Sequence, residues 1–304
     1  MADLFEDQLT VATTLVSGDY VRILKSVSAV LESENISQAD FLTWINSNIS
    51  SGFPKGHSHG LTLSNNATDA TNDIDVAIGE ARDSTNAVDI TLASALTKRL
   101  DAAWSVGTNQ GGLDTGSIAS TTYHLWLIKR SDTGVVDVLF STSASAPVMP
   151  TNYDYKWRIG SIMRESGVIV PFNQDGDDFT RDVPIASVNA TNPGTSAVTR
   201  TLHVPIGIRV KALVAVNGQG VTTATDNPQA IFISDLAIPD STPGTSLFNA
   251  FVYNGGAVNN SNGFMMTVYT DTSAQVRSRV QVSTANTNLR IVTHGWTDTR
   301  GRLA

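Results

Sequence analysis

Apolar residues along the chain follow two different periods, and the change falls near residue 53. In GDYVRILKSVSAVLESEN, residues 18–35, Val21, Leu24, Val27 and Leu31 recur at spacings of three and four, with Ile23 and Val30 widening the stripe. That spacing predicts a helix with one apolar face. A second helix is predicted over SQADFLTWINSNIS, residues 37–50, where Ser37 caps the start and Phe41, Leu42 and Ile45 form the buried side. Two such helices are marginal alone, so they need either the rest of the chain or other copies to cover them, with Trp44 as the large anchor.

After Phe53 and Pro54 the period becomes two. NDIDVAIGEA alternates through Ile74, Val76 and Ile78, and TYHLWLIKR and GVVDVLFST predict a hairpin joined by the turn SDTG. ITLASALTKRLDAAW, residues 90–104, also suits a helix through Leu92, Leu96 and Leu100, but the β character of its surroundings favours strands with a turn. A Pro/Gly/Asn stretch, NATNPGTSAVTR at 189–200, reads as a loop or boundary introducing a second β series from about residue 183. Six short runs rich in Val, Ile, Phe and Tyr follow, from TLHVPIGIRVKALVAVNG to NLRIVTHGW, and suggest a sandwich or jelly roll. The resulting expectation is a mainly β chain: a helical segment at 1–53, a β module at 54–182 and a C-terminal β-sandwich or jelly-roll-like domain at 183–304.

Composition supports the β reading, with charged residues at only 16% and aromatics at 7%. The absence of cysteine removes disulfides, thiolate chemistry and cysteine-based zinc sites. A formal net charge of −8 argues against general nucleic-acid binding. The charge is uneven: residues 1–60 carry 3 basic and 7 acidic side chains, 61–182 carry 9 and 16, and 183–304 carry 8 and 5. The acidic start lacks the form of a signal peptide, and no apolar run approaches the roughly 20 residues of a membrane span, so an aqueous compartment without membrane insertion is expected.

Phosphate-binding glycine loops, dinucleotide fingerprints, His-Glu-x-x-His and Gly-x-Ser-x-Gly are all missing. The carboxylate pairs Asp73/Asp75 and Asp177/Asp178 are what a glycosidase would need, but the catalytic reading is the minor one. NQDGDD at 173–178 lacks the ligand spacing and closing glutamate of a calcium loop and reads as a turn.

The run from Gly60 to Asp182, with GLTLSNNATDATNDIDVAIGEARDSTNAVDITLASALTKRLDAAWSVGTNQGGLDTGSI, YHLWLIKRSDTGVVDVLFSTS and PTNYDYKWRIGSI, resembles a module of structural proteins of tailed bacteriophages and prophages. The closing THGWTDTRGRLA also resembles the end of such chains. This likeness implies a virion component, a tail-fibre or tail-associated homotrimer assembled in the bacterial cytoplasm. Its N-terminal part would attach to other tail or capsid proteins, and its β part would face a host-surface glycan. It implies binding and not catalysis. The alternatives are a capsid-attached head fibre or adaptor, a lectin-like module, and a polysaccharide depolymerase.

In PKGHSHGL, residues 54–61, His57 and His59 sit at i and i+2, so an extended backbone turns both to one side and Ser58 to the other. Around a threefold axis that makes six imidazoles, a donor set suited to octahedral iron(II) or nickel(II) rather than to zinc. The flanking Gly56 and Gly60 would then let three backbones approach. The rival reading is a histidine pair in a hinge. His124, His203 and His294 fall within predicted strands and read as structural. Tyr253 and Trp296, with Phe251 and Tyr269, are the candidate receptor-stacking aromatics, against a default of core packing.

Overall fold

The computed structural model describes residues 20–27, 30–37, 52–220, 228–244, 246–247, 250–251 and 261–302. The chain divides between Phe53 and Pro54 into two compact units. In the first, Tyr20–Val27 and Val30–Ser37 form an antiparallel hairpin in which Val21 lies opposite Ile36 and Val27 opposite Val30. The helix expected over this stretch is therefore corrected to two strands. Val21, Ile23, Val27, Val30 and Ile36 are β-branched, and such side chains lose rotamer freedom in a helix but not in a pleated strand. The second expected helix and Trp44 lie outside the described residues.

The second unit, 54–304, is mainly β, with no helix among its described residues. Its largest sheet runs Val168–Ile169, Tyr153–Glu165, Thr122–Arg130, Val136–Ser141, Gln110–Leu113, Leu96–Ala103, Asp73–Val76 and Leu63–Asn65. The hairpin expected around SDTG is present, with Leu125 opposite Phe140 and Leu127 opposite Val138. The ambiguous run at 90–104 is also strand, in two pieces, Asp89–Leu92 and Leu96–Ala103. Alternation explains the second case, since Ile90, Leu92 and Leu100, like Ile74 and Val76, are buried while their neighbours are more exposed; the hairpin strands instead are buried on both faces, from Thr122 to Ile128 and from Asp137 to Ser141.

A five-stranded sheet follows the order Phe172–Asp175, Asp178–Thr191, Thr287–Thr297, Lys211–Gly220 and Ser261–Tyr269. A four-stranded sheet runs Val198–Thr201, Gln275–Val280, Ala230–Ser234 and Ala250–Phe251, and a small one holds Ser58–Gly60, Gly79–Arg82 and Asp89–Leu92. Position 182/183, where the sequence suggests a boundary, falls inside the strand Asp178–Thr191. That strand pairs with Thr287–Thr297, and one hydrophobic core continues from Leu61 to Trp296. Phe179 sits at its middle, stacked on Trp296 with ring centroids 5.5 Å apart and tilted onto Phe172 at 5.7 Å. Each such aromatic pair adds about 1 kcal/mol to the burial of its rings.

Candidate functional site

The start of the 54–304 unit meets its last described residues. Gly56 has φ +80°, and a Cβ there would lie 2.9 Å from the carbonyl oxygen of Arg302; Gly60 has φ +66°, with the Ile78 carbonyl oxygen 2.5 Å from the same imagined atom. Both glycines are thus required by the chain's own backbone, whatever a second copy does. Arg300 Nη1 donates to the Gly60 carbonyl at 3.3 Å, and Arg300 Nε donates to Asp177 Oδ1 at 3.2 Å. Arg302 Nη2 donates to the other oxygen of the same carboxylate.

Behind this seam lies a buried polar chain. Arg158 grips Asp298 with both terminal nitrogens, Nη1 to Oδ2 at 2.5 Å and Nη2 to Oδ1 at 2.8 Å. Its Nη1 also donates to Ser161 Oγ at 3.0 Å, and Ser161 Oγ shares a hydrogen bond of 2.8 Å with His124 Nδ1. The Arg300 backbone N–H donates to Asp298 Oδ1 at 2.8 Å. Burial pushes the His124 imidazole down to about 4, with the Arg158 charge beside it acting in the same direction. For Asp298, burial opposes ionisation, but the Arg158 hydrogen bonds and charge outweigh it and hold the carboxyl below its ordinary range. The structural reading of His124 is supported: it is neutral near pH 7 and packed in the core.

In front of the seam opens a cleft of about 290 Å³, lined by Lys55, Gly56, Ser84, Trp126, Ala144, Trp157, Arg158, Arg300, Gly301 and Arg302. Four of these residues are cationic and none is acidic. Asp177 and Asp298 neutralise two of the charges from behind, which leaves two in excess. Lys55 is exposed, with no ion-pair partner among the described residues. The Lys156 ammonium stands 5.6 Å from the Trp126 ring centre and adds to the positive field.

A second hollow, about 690 Å³, is lined by Trp104, Val106, Arg130, Val135, Pro150 and Tyr153 among others. Trp104 meets Tyr153 edge to face at 5.1 Å and donates from Nε1 to the Val138 carbonyl at 3.1 Å. Beneath it Lys98, fully buried, uses all three ammonium protons: on Asp137 Oδ1 at 3.0 Å, on the Ser105 carbonyl at 2.7 Å and on the Gly107 carbonyl at 3.1 Å. Burial still lowers its pKa, while Asp137 opposes that shift. Arg130 at the rim is held by Asp132, from Nε at 2.8 Å and Nη2 at 2.7 Å. Every cation here has its carboxylate.

The residues singled out from sequence fare differently. His57 approaches Glu80 with Nε2 at 3.3 Å from Oε1, and His59, exposed on the strand Ser58–Gly60, lies opposite Glu80 in the register. Ser58 turns its hydroxyl inward, as alternation requires. Among the described residues, no group of three or more His, Asp or Glu side chains converges to hold a metal within one chain. Trp296 is 2% exposed and stacked on Phe179, so it is corrected from a receptor-facing candidate to a core residue. Tyr253 lies outside the described residues. Tyr269 is exposed, but the Arg209 guanidinium covers its ring at 4.4 Å.

Of the paired carboxylates, Asp75, Asp177 and Asp178 accept side-chain hydrogen bonds, while Asp73 Oδ1 is buried with no hydrogen-bond partner among the described residues. Asp75 Oδ1 accepts from Asn66 Nδ2 at 2.8 Å and from Thr97 Oγ1 at 2.6 Å, and Asp178 Oδ1 accepts from Thr297 Oγ1 at 2.5 Å. Asp73 is half-buried and raised to about 6, first by burial and then by Asp69 and Asp101. Neither the cationic cleft nor the Lys98–Asp137 pair was singled out from sequence. The one local signal for the cleft was the Arg-Gly-Arg ending, three residues long and far from its partners. Comparison with known family models and with curated proteins gives no match.

Proposed function

We propose that this chain is a virion structural protein of a tailed bacteriophage, a homotrimeric tail fibre or tail-associated fibre. In this reading residues 1–53 attach to other tail or capsid proteins, and residues 54–304 present β-sandwich or jelly-roll-like surfaces to the host. The activity is binding. The observation that carries the proposal is the seam itself: the closing WTDTRGR, part of the phrase that resembles the ends of such chains, is the segment whose Arg300 donates to the Gly60 carbonyl near the start of the β unit, while Asp298 and Arg302 bind Arg158 and Asp177 in its middle. A β unit closed on itself in this way, and separate from residues 1–53, suits a module hung from an attachment segment.

For Asp75, Asp177 and Asp178 a non-catalytic role is supported by the Thr, Asn and Arg donors on their oxygens, whereas Asp73 keeps a buried Oδ1 with no hydrogen-bond partner among the described residues. In the proposed trimer His57 and His59 of three chains would surround iron(II) or nickel(II), and each His57 would have to exchange Glu80 for the metal. Metal analysis of the purified trimer, with His59→Ala as control, tests that part. The function is tested by gold labelling of purified particles with antibody against residues 54–304, together with the mass in solution. Label on fibres and a mass about three times 32.3 kDa are expected. Label on capsid vertices would favour the head-fibre reading, and unlabelled particles with a monomeric chain would refute both.

A further inference from the structure

We propose that the cleft between Lys55 and the Arg300–Arg302 turn binds the anionic group of an acidic saccharide. The inference rests on the host-binding reading and gives it a chemical class. Four observations carry it. The cleft is concave and small, near the roughly 300 Å³ lower end of ligand pockets, which suits one sugar residue better than a peptide. Its lining is cationic, and Asp177 and Asp298 leave two charges unmatched. Arg158 is fixed from behind by buried hydrogen bonds to Asp298 and Arg300 by a part-buried one to Asp177, so their orientation is set before any ligand arrives. Trp126 and Trp157 supply an apolar wall beside the charges, and Gly56 and Gly301 leave the mouth open.

The ligand chemistry follows from this combination. Lys55 and the remaining N–H groups of Arg302 face a carboxylate or a phosphate with charge-assisted donors. Ser84 offers a hydroxyl to a ring hydroxyl, and the tryptophan edges meet the C–H face of a sugar. A polyanion is disfavoured by the net charge of −8, which repels it at a distance while a single anionic group feels mainly the local field. A uronic-type carboxylate and a sugar phosphate share this chemistry.

Calorimetric titration of the full chain at low salt with sodium glucuronate, glucose 6-phosphate, glucose and inorganic phosphate separates the outcomes. Binding of glucuronate alone identifies a carboxylate source, binding of glucose 6-phosphate alone a phosphate source, and binding of both a shared anion site. In each case glucose must fail and affinity must fall as salt rises. Lys55→Gln and Arg302→Gln are expected to weaken binding roughly tenfold each, with Arg130→Gln in the other hollow leaving it unchanged. Lys55 is exposed, so an unaltered melting temperature in Lys55→Gln shows that lost binding is not lost folding. Glucose binding as well as glucuronate, inorganic phosphate binding as well as either acid sugar, or no binding at all would overturn the proposal. Particles carrying a chain that binds none of these would keep the fibre reading and remove the cleft; a sugar-binding chain absent from particles would do the reverse.

Discussion

The two hollows of the 54–304 unit are made from the same parts, yet they differ in charge balance. Each has tryptophan in its wall and a buried cation–carboxylate pair beneath it, Lys98–Asp137 under the Trp104 hollow and Arg158–Asp298 behind the seam cleft. Around Trp104 the count closes: Lys98 with Asp137, Arg130 with Asp132. At the seam it does not, because Asp177 serves two arginines and Lys55 has no acid among the described residues. Tryptophan alone therefore does not mark a ligand site; the surplus of positive charge distinguishes one hollow from the other.

The largest effects should come from breaking either buried pair. Asp137→Asn leaves an ammonium and Asp298→Asn a guanidinium without its counter-charge, and each is expected to cost about 3–5 kcal/mol in urea unfolding. Lys98→Met combined with Asp137→Asn should recover most of the first loss, since the desolvation penalty leaves with the charges. Failure of the double variant to recover would mean that the pair's hydrogen bonds to Ser105, Gly107 and Val138 matter more than its charges.

Acid comes next. His124 has an ordinary value of 6.5 and a folded value of about 4, so between those values the unfolded chain takes up a proton that the folded chain refuses. Stability is unaffected above 6.5 and falls as pH drops toward 4, by about 3 kcal/mol. Asp73 works in the opposite sense: raised from 3.8 to about 6, it holds its proton more tightly when folded and makes stability fall as pH rises through that window. It is only half-buried, so solvent screening reduces its share and the His124 slope should dominate. His124→Asn should flatten or invert the dependence of melting temperature on pH between 4 and 6.5, and Asp73→Asn should steepen it.

Smaller and more telling is Asp177→Asn. It removes the acid shared by Arg300 and Arg302, with an expected cost of about 1–2 kcal/mol, while the surplus charge in the cleft rises and binding of glucuronate tightens several-fold. Arg130→Gln, at the rim of the balanced hollow, should change neither melting temperature nor anion binding measurably.

Strands were legible because their cause is local. Alternation places Ile74 and Val76, and a short apolar run on each side of the SDTG turn places the Leu125–Phe140 hairpin, without reference to distant residues. The first fifty residues show how this fails: Val21, Leu24, Val27 and Leu31 satisfy the helical period, but the β-branched residues among and beside them also tolerate a strand, and the hairpin is what forms. The cleft was illegible for a different reason. Arg158 and Asp298 are 140 positions apart, and only the fold brings that pair, Lys55 and Trp157 to one place. Trp296 drew notice as an aromatic, but the pairing of Phe179 with it across the two strands sends it into the core.

Fluorine NMR of the chain labelled with 5-fluorotryptophan tests the central claim most directly, because its five tryptophans include two in the cationic cleft, one in the balanced hollow and one in the core. On addition of sodium glucuronate the resonances of Trp126 and Trp157 should move together along one saturable curve while those of Trp104 and Trp296 stay in place. Movement of Trp104 with Trp126 and Trp157 unmoved would contradict the account.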